Sequence, residues 1–310
     1  MMKKIIIIAS LVLVLSGCVR VVKQPLSADL HKKITHSTVL ETTPQHTITV
    51  DKPNYSGLGA KFGLIGSIVA TIRQHHANAV LNKDIGPIRD EIVNVNFLAL
   101  FKKHLNNELK HVSWLHMRGI QMRYSLNTKQ EKMIARNSKV PFNFVVDATY
   151  AFTKNFRLLH IGVNVKLYTN DPKLIAQLVS VKSRRPLPKL YKLYNNDFVF
   201  LYTPKGSNRH KAHNLMVWKQ DNAEEVRTAL EEGVKNVAKM ITIDIKDSSP
   251  VNTKDTPRTK KYHFAVPVAL DDFMLYGPSI KGELVYKTPG GIVLKYYDGR
   301  LLFLSKGVYK

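Results

Sequence analysis

The spacing of apolar positions changes several times along the chain, and each change marks an element. From Phe97, apolar residues recur at Leu98, Phe101, Leu105, Leu109 and Val112. Steps of three and four predict an amphipathic helix to about Ser113, with Lys102, Lys103, Asn106, Asn107 and Lys110 on its wet faces. Ile120 to Leu126 reads as a strand, and Asn127 to Arg136 as a short helical connection. Two stronger strand signals follow, FNFVVDATYAF (Phe142 to Phe152) and LLHIGVNVKLY (Leu158 to Tyr168). In the second, Ile161, Val163, Val165 and Leu167 alternate with Gly162, Asn164 and Lys166, so one face is apolar and the other polar. TKNFR between them is short enough for a hairpin-like connection. Asp147 sits among apolar neighbours; it is either a buried functional carboxylate or, with no paired acid or histidine visible nearby, an acid on the polar face that needs no special role.

FVFLY (Phe198 to Tyr202) supplies another strand. A second helix is expected from about Asn222, with Ala223, Val226, Leu230, Val234, Val237 and Ile241 as its buried stripe. Asp221 and Glu224 have the spacing of a capping box. QHTITV (Gln45 to Val50) alternates as a short strand, and Gly86-Pro87 marks a helix start or break. Asp247 to Lys261 has the composition of a linker. Beyond it, Tyr262 to Leu270, Lys281 to Tyr286, Ile292 to Tyr297 and Leu301 to Ser305 read as strands, with turns at Pro289-Gly290-Gly291 and Asp298-Gly299. The order predicts an α+β fold: a two-layer α/β sandwich with a mixed or largely antiparallel sheet, plus a small C-terminal β meander. It lacks the strand-helix alternation of a doubly wound enzyme. The expected body runs over residues 44–246, followed by the linker 247–261 and the β region 262–310, which either extends the main sheet or forms a docking module.

GLGAKFGLIGSIVATIRQHH, Gly57 to His76, has a different pattern. Gly59, Gly63 and Ser67 sit four apart and on a helix would line one face, letting another backbone come close. Its apolar part, Leu58 to Ile72, is fifteen residues with one lysine, too short to span a bilayer. A buried helix of the core, a helix packed against a second copy, and shallow insertion in a leaflet all satisfy this pattern.

The first residues bear on location. Lys3 and Lys4 precede an apolar run from Ile5 to Leu15, and Ser16-Gly17-Cys18 close it. These are the parts of an export signal over residues 1–17. Leu15-Ser16-Gly17-Cys18 resembles the lipobox of bacterial lipoproteins. The resemblance implies cleavage before Cys18, a diacylglycerol on its thiol and an acyl chain on its new amine. Cys18 is the one cysteine of the chain, so no disulfide is expected. Val19 stands where the resemblance places an aspartate for inner-membrane retention, which implies the outer membrane with the body facing the periplasm. Residues 18–43 are polar without lasting period and read as a lipid-anchored tether.

The charge is strongly one-sided: 47 Lys and Arg against 23 Asp and Glu, a formal +24. In the cytoplasm that excess would point to nucleic acid. An exported protein rarely meets nucleic acid, so the expected partners are the membrane through its anchor and an acidic envelope protein or anionic envelope polymer. Two loops concentrate the charge. Lys182, Arg184, Arg185, Lys189 and Lys192 fall in VKSRRPLPKLYKLY, and Arg209 and Lys211 in KGSNRHK. If the loops meet across FVFLY they form an anion-binding patch; otherwise they are a solvated surface.

Other chemistry is thin. His104, Glu108 and His111 lie four and three apart, with ligand types that suit zinc. The spacing is not HExxH, and a chain with twelve histidines produces it by chance. A polar helix flank is the expectation, with no metal or other cofactor beyond the covalent N-terminal lipid. Ser56 and Ser67 lack an elbow context, and the adjacent Asp271 and Asp272 would point opposite ways on a strand. The stretch from Phe97 to Ile245, and MVWKQDNAEEVRTALEEGVKNVAKMI within it, is similar to the α/β domains of curli-secretion lipoproteins, which implies a scaffold or secretion role. The leading expectation is a lipid-anchored structural component or adaptor of an envelope complex. A cell-wall or lipid-modifying enzyme and a simple anionic-ligand-binding lipoprotein are the alternatives. The anchor has a direct test: Cys18→Ser should accumulate as an uncleaved precursor that takes up no labelled fatty acid.

Overall fold

The computed structural model describes residues 23–51, 76–179, 186–247, 262–264, 280–296 and 298–308. A short helix α1 (Ala28–His31) precedes strands β1 (Ser37–Thr43) and β2 (Thr49–Val50). Helix α2 covers residues 76–91. Then follow α3 (Phe97–Leu109), a 3-10 turn at Ser113–Leu115, β3 (Met117–Tyr124), α4 (Thr128–Asn137), β4 (Phe142–Phe152) and β5 (Leu159–Thr169). The remainder is α5 (Pro172–Leu178), β6 (Tyr191–Tyr202), α6 (Lys211–Lys246), β7 (Tyr262–Phe264), β8 (Ile280–Lys287), β9 (Gly291–Lys295) and β10 (Leu301–Ser305). The strands join in the order β3-β1-β4-β5-β6-β10-β9-β8-β7, with β2 also on β4. β4-β5-β6 and β10-β9-β8 are antiparallel, whereas β1 runs parallel to both neighbours and β10 parallel to β6. The protein is thus a mixed α/β fold with a largely antiparallel sheet and a small C-terminal β region.

Strand alternation divides the core. Phe144, Val146, Ala148, Ile161, Val163, Val165, Phe198 and Phe200 share one face and pack under α3 and α6. A methyl at Gly233 would fall into the side chains of Ile161 and Phe200, so the glycine lets α6 lie on the sheet. On the opposite face α4 seals a smaller cluster of Leu40, Ala135, Val145 and Tyr168. Val199, Leu201, Leu294, Leu302 and Leu304 make another farther along. Thr42, Asp147, Asn164 and Asp197 line up between these clusters across four strands.

Several expectations change. The chain is built in from Lys23, not from residue 44, so no free tether reaches Thr43. β1 is an interior strand, and Leu26 and Ile34 are core residues. Lys23 Nζ is buried 2.9 Å from Asp244 Oδ1 on α6. The other oxygen of Asp244 accepts from Tyr194 Oη at 2.6 Å and Asn196 Nδ2 at 2.9 Å. Gln24 pairs with Asn195 in the place beside β6 that β10 leaves open. Residues β8 to β10 extend the main sheet through β6, so the C-terminal region is not a separate module. α2 runs through Gly86-Pro87 without a break. α6 is two helical stretches joined at Gln220–Ala223, where Asp221, Asn222 and Ala223 have left-handed φ of 50°, 56° and 58°; the second starts close to the expected Asn222, and an unexpected stretch from Lys211 precedes it. Asp221 is therefore not an N-cap, which requires extended backbone. The first part of α6 docks Trp218, whose Nε1 donates to Phe156 O at 2.6 Å, and the second runs along the sheet. The glycine-spaced segment lies outside the described residues.

Glu41 is an exception in this core. It is fully buried under α3, and neither carboxylate oxygen has a hydrogen-bond partner among the described residues. Burial pushes its carboxyl up to about 8, against a smaller opposing pull from Lys102. The folded state therefore binds this proton more tightly than the unfolded state, so stability falls as pH rises from about 4.5 to about 8. Glu41→Gln should remove that slope. Compared by urea unfolding at pH 5 and pH 8, the variant should gain on the wild type by about 3 kcal/mol or more. Parallel pH profiles would exclude the buried acid as the cause.

Candidate functional site: a basic groove

α4 and the approach to β6 enclose a groove of about 880 Å³. Lys129, Lys132, Met133 and Arg136 come from α4, Lys189 and Leu190 precede β6, and Lys192 lies within it. Tyr168 contributes from β5. Helix geometry explains the first wall. Positions 129, 132, 133 and 136 are three and four apart, so they form one outward stripe, while Glu131 and Ala135 face the sheet. The helix starts with a capping box. Asn127 Oδ1 accepts from Lys129 N and Gln130 N, and Gln130 Oε1 accepts from Asn127 N at 2.9 Å.

Two asparagines of the sheet hold its other end. Asn170 Nδ2 donates to the carbonyls of Ala135, Arg136 and Ser138, the last at 2.8 Å. Asn143 Nδ2 donates to Ala135 O and Val140 O. These contacts satisfy carbonyls that a helix C-terminus leaves unpaired. Under the helix, Lys166 Nζ lies 3.4 Å from the buried Glu131. The acidic group of α4 is thereby turned inward, and the groove presents cations. Lys129, Lys132, Arg136 and Lys189 make no ion pair among the described residues. Burial first, and then the charge of Glu131, push the Tyr168 phenol up to about 12, so it stays neutral in ordinary buffers.

The same polar layer contains Asp147. Burial, then Glu131, raise its carboxyl to about 6, and Lys166 pulls the other way. Asn164 Nδ2 donates to Asp197 Oδ1 at 2.5 Å. Asp147 does stand on the polar face, but it has an acidic neighbour, Glu131, that sequence distance concealed.

The structure separates the two basic loops. Lys189 and Lys192 stand at the start of β6, whereas Arg209 and Lys211 follow its far end, about 36 Å away at strand rise. Lys211 pairs with Asp84, and Arg209 Nε lies 3.3 Å from His210 Nε2. They do not join the groove. Lys182, Arg184 and Arg185 lie outside the described residues, as do Cys18, Gly59, Gly63 and Ser67. His104 turns to Glu231 on α6, with 2.7 Å between Nε2 and Oε1, instead of converging with Glu108 and His111. Among the described residues no three histidine, cysteine or acidic side chains are grouped to hold a metal. The wall formed by α4 was missed from sequence, although the spacing of Lys129, Lys132 and Arg136 carried the signal.

Residues 2–18 match the prokaryotic membrane lipoprotein lipid attachment site. The protein is therefore membrane-associated through an N-terminal lipid, and Cys18 closes the matched segment. Among the described residues no helix is long and apolar enough to cross a membrane. No curated protein matches the chain. The family match ends at residue 18 and does not support the likeness to curli-secretion lipoproteins. The long helix is also not C-terminal to the sheet, because β8, β9 and β10 follow it and complete the same sheet. The asparagine clasp has its own test. Asn170→Ala should lower stability by about 1 kcal/mol, read as a shift in the urea midpoint.

Proposed function

We propose that this protein is a lipid-anchored adaptor of the bacterial cell envelope that holds an anionic partner in the basic groove. The convergence of Lys129, Lys132, Arg136, Lys189 and Lys192 around one groove carries this reading. Like charges held close repel one another, and an incoming anion relieves that repulsion. Arg136 can grip carboxylate or phosphate with two N–H groups, while the lysines act as point charges on flexible stems. Met133 and Leu190 add apolar contact beside them. The ligand class is an acidic protein face or an envelope component bearing phosphate or carboxylate. Export with lipid attachment supports an envelope site, and Val19 after Cys18 favours the outer membrane facing the periplasm. A cell-wall or lipid-modifying enzyme is the second reading. It is favoured by Asp147, whose raised carboxyl lies in the same polar row as Asp197.

The groove reading is tested with a Lys129→Glu, Lys132→Glu and Arg136→Glu triple variant, whose exposed positions leave the core untouched. Wild type should bind fluorescent polyphosphate or a polyglutamate peptide, and more weakly as salt rises. The variant should bind at least about tenfold more weakly, with an unchanged circular-dichroism spectrum. Equal affinity of the two proteins for both probes would refute the groove as the anion site.

A further inference from the structure

We infer that the groove lies against the membrane that holds the lipid, and that its cations engage phosphate-bearing headgroups of that membrane. This rests on the groove being an anion site, and it names the source of the anion.

Cys18 and Lys23 are five residue steps apart, which span at most about 18 Å. Lys23 cannot drift from the body, because its ammonium is buried on Asp244 and its N–H donates to Asp298 O at 3.2 Å. A globule of this size has a radius of gyration of about 19 Å, hence a breadth near 50 Å. A lipid on so short a lead therefore holds the surface around Lys23 close to the bilayer and leaves the far side out of reach.

Gln24, the next residue, donates from Nε2 to Lys192 O at 3.1 Å, and Lys192 lines the groove. Lys23, where the lead from Cys18 joins the body, and the groove rim are thus neighbours across a single residue. Arg209, beyond the other end of β6, is not.

The side brought to the bilayer carries several cations, which anionic headgroups attract within a Debye length of about 8–10 Å. Two apolar side chains stand exposed among or beside them, Met133 at 55% and Leu187 at 50%. Cations beside exposed apolar groups suit an interface where charge meets headgroups and short apolar chains enter the boundary. Anchoring by lipid and by this surface would act together, as two-signal attachment does.

The test uses the full lipidated protein in vesicles. The thiol of Cys18 is consumed by its lipid, so an introduced cysteine takes up a dye alone. Met133→Cys and Lys205→Cys are each labelled with nitrobenzoxadiazole and mixed with vesicles of phosphatidylcholine, with or without phosphatidylglycerol, that carry a headgroup spin-label quencher. The inference expects several-fold stronger quenching at position 133 than at 205 in phosphatidylglycerol vesicles. It also expects less quenching at 133 when phosphatidylglycerol is omitted or when the three groove charges are reversed. Quenching at 205 equal to or above that at 133 would overturn the orientation. Strong quenching at 133 that ignores both lipid charge and groove charge would overturn the headgroup contact. Solution binding of polyphosphate or polyglutamate with no quenching at 133 would overturn this inference while leaving the proposed function standing. Loss of quenching at 133 on adding solubilised envelope proteins would assign the groove to a protein partner and likewise overturn it.

Discussion

The buried carboxylate of Asp244 joins parts of the chain that sequence keeps far apart. It receives Lys23 from the N-terminal segment and Tyr194 and Asn196 from β6, while itself belonging to α6. Asn196 also donates to Gly299 O in the turn before β10. The buried amine, phenol and amide each find an acceptor in one small region. Removing one partner of such a buried pair typically costs about 3–5 kcal/mol, because the other charge is left without water or counter-ion. The direction of the N-terminal segment, the place of the C-terminal strands and the rim of the groove all depend on this junction.

The sheet has two unequal faces. One is covered almost completely by α3 and α6, and its alternating Val, Ile and Phe residues form the main core. The other has an apolar patch at each end and a polar row between them. α4 sits over the first patch and turns Glu131 inward to Lys166. That choice leaves its outer stripe cationic, and the start of β6 adds cations from the opposite wall. The groove is therefore a consequence of how one short helix resolves its single buried acid, with Asn143 and Asn170 holding its end.

Much of this was legible in residue patterns. The stripe from Leu98 to Leu109 makes α3, and Phe142–Phe152 was bounded as the strand that forms. Leu158 to Tyr168 was placed within one residue of β5, and the Asp298-Gly299 turn lies where expected. Other features escaped because their physics is not periodic. STVLETT reads as polar tether, yet it is an interior strand whose Glu41 is buried against expectation. The strand was expected only from Phe198, with YKLY in a basic loop, yet YKLYNND forms the first half of β6, where Asp244 and Gln24 satisfy its polar groups. The break in α6 falls near the helix start that its apolar stripe suggested, since the preceding turns dock Trp218 and the later ones follow the sheet.

Sequence alone determined the lipid attachment site, the excess of positive charge and the mixed α/β character. These depend on short contiguous motifs, on composition and on local periodicity, which need no knowledge of distant contacts. Tertiary structure alone decided where the charge converges. Lys129 and Lys192 are sixty-three positions apart, and they share a groove because β4, β5 and β6 are paired in register beneath α4. It also decided that the chain is fixed at Lys23, beside the Gln24 that bonds to the groove rim, because Lys23 meets Asp244 across 221 positions. No local pattern encodes such a contact, since it forms only where the fold brings two opposite charges together away from water, so that their attraction offsets the cost of burial.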